Sequence, residues 1–91
     1  MALGMYFALS GFTPEKYDEA IRQLEAAGAG APAGRLEHFA LETGGQIHVF
    51  DIWDSQESLD AFGPVLVPVL TGLGVEPVAP MVSPVHNSIE G

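Results

Sequence analysis

The sequence has no cysteine, which rules out a disulfide, a thiolate metal site and a thiol nucleophile. Cations are nearly as scarce. Lys16, Arg22 and Arg35 stand against twelve acids, for a net charge of −9. A chain this acidic repels phosphate backbones and anionic bilayers, so neither nucleic acid nor membrane is expected as a partner. It also lacks the cationic clamp that haem propionates or a phosphorylated ligand favour. No run approaches the ~20 apolar residues of a membrane span. The opening MALGMYFALSGF has neither the basic leader nor the long apolar core of a signal peptide. With cysteine absent as well, a cytoplasmic location is the expectation.

What is present is apolar. Of 91 residues, 47% are hydrophobic and only 16% charged, a low charge density for a small soluble monomer. A chain of this length forms one domain (residues 1–91) and hides only roughly 60–65% of its unfolded surface. The composition therefore implies apolar surface buried between subunits.

Arg35 to Asp54 organises the chain. Two nine-residue runs, RLEHFALET and QIHVFDIWD, flank Gly44-Gly45. Both central residues of a primed hairpin turn need positive φ, which glycine adopts without steric penalty. With these two glycines as the loop, Thr43 faces Gln46, Phe39 faces Phe50 and His38 faces Asp51. Successive side chains alternate between faces. One face then collects Glu37, Phe39, Leu41, His48, Phe50 and Ile52, and suits burial beneath helices. The other collects Leu36, His38, Ala40, Glu42, Ile47, Val49, Asp51 and Trp53.

Around the hairpin the elements follow in order. Gly4 to Ser10 reads as a first strand with Met5, Phe7 and Leu9 on one face. Thr13 is an N-cap and Pro14 the first residue of a helix running to about Ala27. Its stripe is Tyr17, Ala20, Ile21, Leu24 and Ala27. The GAGAPAG connector that follows lacks the Lys-Ser/Thr of a phosphate loop. Asp54 is the expected N-cap of a second helix, with Glu57 as its capping-box partner. Pro64 and Pro68 predict a kink there, or two short helices. Met81 to Ile89 reads as a last strand, placed at a sheet edge by Pro84.

The order β-α-β-β-α-β with right-handed crossovers predicts an α+β, ferredoxin-like fold. Its four-stranded antiparallel sheet has the first and third strands central and both helices on one face. The helix-free face, expected to show Tyr6, Leu36, His38, Ala40, Val49, Asp51, Trp53 and His86, is too apolar for water. Two such sheets pressed together would close it.

The element order, the length, the TPEKYDEAI helix opening, the HVFDIWDSQESLDAF segment and the terminal PVHN resemble the dimeric α/β-barrel superfamily. Within it, the chain is most similar to the antibiotic-biosynthesis-monooxygenase-like group and its uncharacterised relatives. The resemblance implies a homodimer with a ligand cavity between sheet and helices. It points to fold more than to chemistry, since the superfamily spans cofactor-independent monooxygenases, haem-degrading enzymes, cyclases and isomerases.

Candidate chemistry centres on His38 and Asp51. Opposed in an antiparallel pair, their side chains lie about 5 Å apart. A carboxylate that accepts from an imidazole fixes its tautomer and raises its basicity, as a general base requires. The same pair is also what two buried polar groups form merely to satisfy each other. His86 is expected in the same cavity as a proton donor, or at a dimer rim. Two histidines and a carboxylate are metal-ligand types, but their spacing carries no metal signature and none is expected. His48 is assigned to the surface or the rim of the core. Tyr6 and Trp53 are candidates to stack on a flat aromatic substrate, with Phe62, Leu66 and Tyr17 lining the pocket or simply filling the core. Arg35 is placed to reach Asp54.

Together with the resemblance, these residues lead to the expectation of a small homodimer acting, without a bound cofactor, on an apolar, aromatic or polyketide-like molecule. A monooxygenase and an isomerase or cyclase would use the same parts. A non-catalytic ligand-binding or structural dimer is the alternative. A cavity of a few hundred Å³ beside His38 would favour ligand binding.

Overall fold

A computed structural model describes residues 2–91. The elements are β1 (Leu3–Ala8), α1 (Pro14–Ala26), β2 (Arg35–Thr43), β3 (Gln46–Trp53), α2 (Gln56–Gly72) and β4 (Met81–Pro84). They build one antiparallel sheet in the order β2-β3-β1-β4 with both helices packed against it, the ferredoxin-like arrangement. β1 and β3 are central, and β4 is an edge, as Pro84 predicts.

The hairpin forms in the expected register. Gly44 (φ 59°) and Gly45 (φ 83°) make the turn, and His38 pairs with Asp51. α1 begins where its capping residues dictate: the Thr13 hydroxyl accepts from the Lys16 amide at 3.3 Å, and Pro14 follows. Both helices end in paired bonds that satisfy their last carbonyls. Ala29 N–H reaches Leu24 O, and Val75 N–H reaches Leu70 O.

Four expectations about the fold are corrected. The first concerns the faces of the hairpin. The helices cover Ile47, Val49, Asp51 and Trp53, while Phe39 and Phe50 are 49% and 38% exposed on the opposite side. The register between β1 and β3 sets this, because Met5 pairs with Asp51 and Phe7 with Val49. The apolar stripe of β1 therefore lies beside Val49 and Asp51, not beside Phe50. Trp53, fully buried, packs on Phe62 of α2 with ring centroids 5.6 Å apart.

The second correction is at the start of α2. Ser55 is the N-cap, accepting from the Ser58 amide at 3.2 Å. Asp54 remains tied to the hairpin, its amide donating to Gly34 O at 2.8 Å. The third is that α2 is one helix through Pro64 and Pro68, not two short ones. Each proline frees the carbonyl four residues earlier, on Asp60 and Pro64. Asp60, Pro64 and Pro68 are all exposed, so water can take the place of the lost amides. The fourth is that β4 ends at Pro84. One further bond, Val85 N–H to Ala2 O at 2.9 Å, closes its ladder.

β2 carries an irregularity that the alternation rule did not anticipate. The pairing steps from Arg35↔Trp53 to Glu37↔Ile52, so Leu36 is an extra residue and lies exposed.

Candidate functional site

Sheet and helices do not fully close on each other. Between them lies a cavity of about 450 Å³ with mostly apolar walls. Met5 and Phe7 of β1, Leu24 of α1 and Leu66 of α2 supply much of its lining. A connected set of polar side chains interrupts that surface.

That feature is a chain of three side chains from three elements. Asp51, on central strand β3, is 3% exposed. Its Oδ1 lies 2.5 Å from Nδ1 of His38 on β2, directly across the ladder. His38 Nε2 lies 2.7 Å from the hydroxyl of Tyr17 on α1. Elementary donor accounting orders the protons. An ionised carboxylate only accepts, so Nδ1 carries the hydrogen of a neutral imidazole. Nε2 is then an acceptor, and the Tyr17 O–H donates to it. If the imidazole gains a proton, Nε2–H donates to the Tyr17 oxygen instead.

The surroundings hold Tyr17 in its protonated form. Burial raises the phenol pKa above its ordinary value of 10.0, and the negative charges of Asp51 and Asp18 add to this, while Arg35 opposes it. The Tyr17 and His38 rings are nearly parallel, 6° apart, with centroids 6.0 Å apart. An unsatisfied donor lies nearby. Trp53 lines the cavity, and its buried indole N–H has no hydrogen-bond partner among the described residues. Buried donors are rarely left alone, and this one is enclosed by the surrounding side chains, with no surface open to water.

The structure divides the residues singled out from the sequence into two groups. His38, Asp51, Tyr17, Trp53, Phe62 and Leu66 all line the cavity. Tyr6 and His86 do not. They border a groove on the opposite, helix-free side of the sheet, together with Phe50 and Ile52. There the Tyr6 hydroxyl bonds His48 Nδ1 at 2.8 Å. The sheet thus separates His86 from His38 and Asp51, and the three do not converge on one point. The reason is the face inversion described above: Tyr6 and His86 lie on the helix-free side, as expected, while His38, Asp51 and Trp53 lie beneath the helices.

Two contributions escaped the sequence reading. Tyr17 was legible as a stripe residue of α1, but nothing in the sequence tied its hydroxyl to His38. Arg35 was assigned to Asp54. Its guanidinium instead donates to Gly30 O at 2.9 Å and lines the cavity.

Comparison with solved structures matches this architecture over the whole chain. A protein from Deinococcus radiodurans, assigned by inference as an antibiotic biosynthesis monooxygenase, superposes with a TM-score of 0.66 at 16% identity, covering 99% of this chain and 97% of the other. SnoaB, a cofactor-independent oxygenase from Streptomyces nogalater, gives 0.65 at 12% identity, with 99% and 96% covered. The fold is that of the antibiotic-biosynthesis-monooxygenase-like proteins. A third such protein, from Chloroflexus aurantiacus and also assigned by inference, gives 0.53 at 20% identity over 99% of this chain and 97% of its own. No protein-family model and no curated protein sequence matches the chain. Among the described residues, no helix is long and apolar enough to cross a membrane.

Proposed function

We propose that this chain is a small homodimeric enzyme that removes a proton from an apolar, aromatic or polyketide-like molecule held between sheet and helices. The observation that carries this reading is the Tyr17–His38–Asp51 chain set in the wall of an otherwise apolar cavity. A carboxylate behind an imidazole stabilises the imidazolium that forms when the base takes a proton. Because both nitrogens of His38 are engaged, the proton has two routes. The substrate displaces Tyr17 and donates directly to Nε2. Alternatively, the Tyr17 oxygen takes the substrate proton as its own passes to Nε2.

Dioxygen as second substrate completes the reaction suggested by the likeness to a cofactor-independent oxygenase. The substrate anion gives its electron pair to form a C–O bond, and the distal oxygen recovers the proton from His38. Loss of water then leaves a new carbonyl. One oxygen atom ends in product and the other in water. No resident cofactor is required by this sequence of steps. An isomerisation or cyclisation would share the first step and consume no dioxygen.

The homodimer rests on the helix-free face. Phe39, Leu41 and Phe50 stand exposed together on the outer sheet surface, an apolar patch of the kind that subunit contacts cover. A second copy supplies a matching surface.

Dioxygen uptake with electron-rich polycyclic phenols tests the proposal. His38→Ala is expected to lower turnover by ~10²-fold or more, with circular dichroism unchanged in shape. Unaltered turnover in that variant would remove His38 from the mechanism. The other reading, a non-catalytic binding dimer, is favoured by one observation: the three side chains already satisfy one another. It predicts that replacing His38 changes melting alone.

A further inference from the structure

Arg35 is the least explained charge in the molecule. The chain has only three lysines and arginines. Arg22 is spent in an exposed pair with Glu19. Among the described residues Arg35 makes no ion pair with a carboxylate, and the one hydrogen bond of its guanidinium is to the Gly30 carbonyl. A guanidinium has five N–H donors in a fixed fork, so most of its hydrogen-bonding capacity is unused.

Its position is the product of the bulge in β2. Arg35 and His38 are three residues apart, an odd separation that in a regular strand puts them on opposite faces. The extra residue, Leu36, shifts the parity, so that Arg35 pairs with Trp53 and lines the same cavity as His38 and Asp51. Bulges that re-aim a side chain recur beside functional sites. The two carboxylates that also border the cavity have other partners. Asp51 is bonded to His38, and Asp60 accepts from the Gln56 amide at 2.8 Å. The field of Arg35 reaches the Tyr17 hydroxyl, where it opposes the effect of burial.

We propose that Arg35 is the anion anchor of the cavity and that its ligand is an amphipathic monoanion, an apolar ring body bearing one anionic oxygen group. This rests on the reading that the cavity takes a small molecule. A planar fork pairs with a carboxylate through two parallel bonds. The ring body then lies along the apolar walls, toward Trp53 and Phe62.

Calorimetric titration of the intact protein with 2-naphthoate and its neutral counterpart 2-naphthamide tests the assignment. Quenching of Trp53, the one tryptophan, reports entry into the cavity. The net charge of −9 works against the carboxylate, so a preference for it must come from a local cation. The expected result is at least tenfold tighter binding of naphthoate by the wild type. Arg35→Met should bring the two probes to within twofold, with naphthamide affinity unchanged. Arg35→Lys, which keeps the charge and loses the fork, should fall between. Equal binding of the two probes by the wild type overturns the anchor but leaves the small-molecule reading standing. So does a preference that survives Arg35→Met. If neither probe quenches Trp53, the cavity reading falls and the anchor with it.

Discussion

His38→Ala is the perturbation whose outcome follows most directly from the geometry. Asp51 is 3% exposed, and among the described residues its one side-chain hydrogen bond is to His38. Removing the imidazole leaves a carboxylate beneath the helices with no donor. Breaking a buried charged pair from one side costs about 3–5 kcal/mol when no water reaches the survivor. Here the 450 Å³ cavity adjoins the site, so partial hydration reduces the figure to about 2–3 kcal/mol. For a domain of this size each kcal/mol moves Tm by about 4–8 °C, which gives a fall of about 8–24 °C. Urea unfolding at fixed protein concentration measures the loss. The decisive comparison is the double variant His38→Leu/Asp51→Leu. It buries no charge and is expected to lie within about 1 kcal/mol of wild type, because apolar replacement of a whole buried pair is often neutral. A His38→Ala loss below about 0.5 kcal/mol would show that Asp51 does not depend on His38. A double variant as unstable as the two single losses added together would refute the coupling.

Three other outcomes follow. Of the two tyrosines, Tyr17 should ionise above the ordinary value of 10.0, seen as a late tyrosinate absorbance step that Tyr17→Phe abolishes. Since the folded value is raised, the stability it confers is complete below pH 10 and is lost as pH climbs through that value; the variant should flatten this alkaline limb. On the outer face, Phe50→Lys should convert a dimer to monomer in sedimentation, with helix and strand content retained; a variant that still sediments as a dimer would clear this face of the role. Gly34→Ala should destabilise by about 1–3 kcal/mol in thermal unfolding. Gly34 sits at φ +89°, and a Cβ there would lie 2.3 Å from Ser58 Oγ and 2.7 Å from Asp54 Oδ1.

Element order, hairpin register and the capping of α1 were all legible in the sequence, because each depends on residues close together in the chain. Gly44-Gly45 fixes its own turn, and that turn fixes His38 against Asp51. Which face of β3 lies under the helices is a different kind of question. Its alternating sets are Ile47, Val49, Asp51, Trp53 and His48, Phe50, Ile52, and apolar content alone does not separate them. The choice is made by pairing with β1, forty-odd residues earlier in the chain, and by the fit of Trp53 on Phe62. A buried aspartate argues against its own face until the bond from His38 is counted. The same non-local dependence hid Tyr17, whose hydroxyl meets His38 only once α1 has packed, and Arg35, whose aim depends on one extra residue in β2.

Once the faces are assigned correctly, the sheet becomes a partition between two kinds of work. Each side holds a tyrosine bonded to a histidine: Tyr17 with His38 beneath the helices, Tyr6 with His48 on the outer surface. They differ in what stands behind the imidazole. His38 has a buried carboxylate at 2.5 Å, the partner that the proposed base would need to stabilise its imidazolium. No hydrogen bond or ion pair joins His48 to a carboxylate among the described residues. The outer pair is therefore suited to satisfying polar groups within an apolar surface that a second copy would cover. The proposed acid–base chemistry rests on the inner side, where the carboxylate, the imidazole and the cavity occur together.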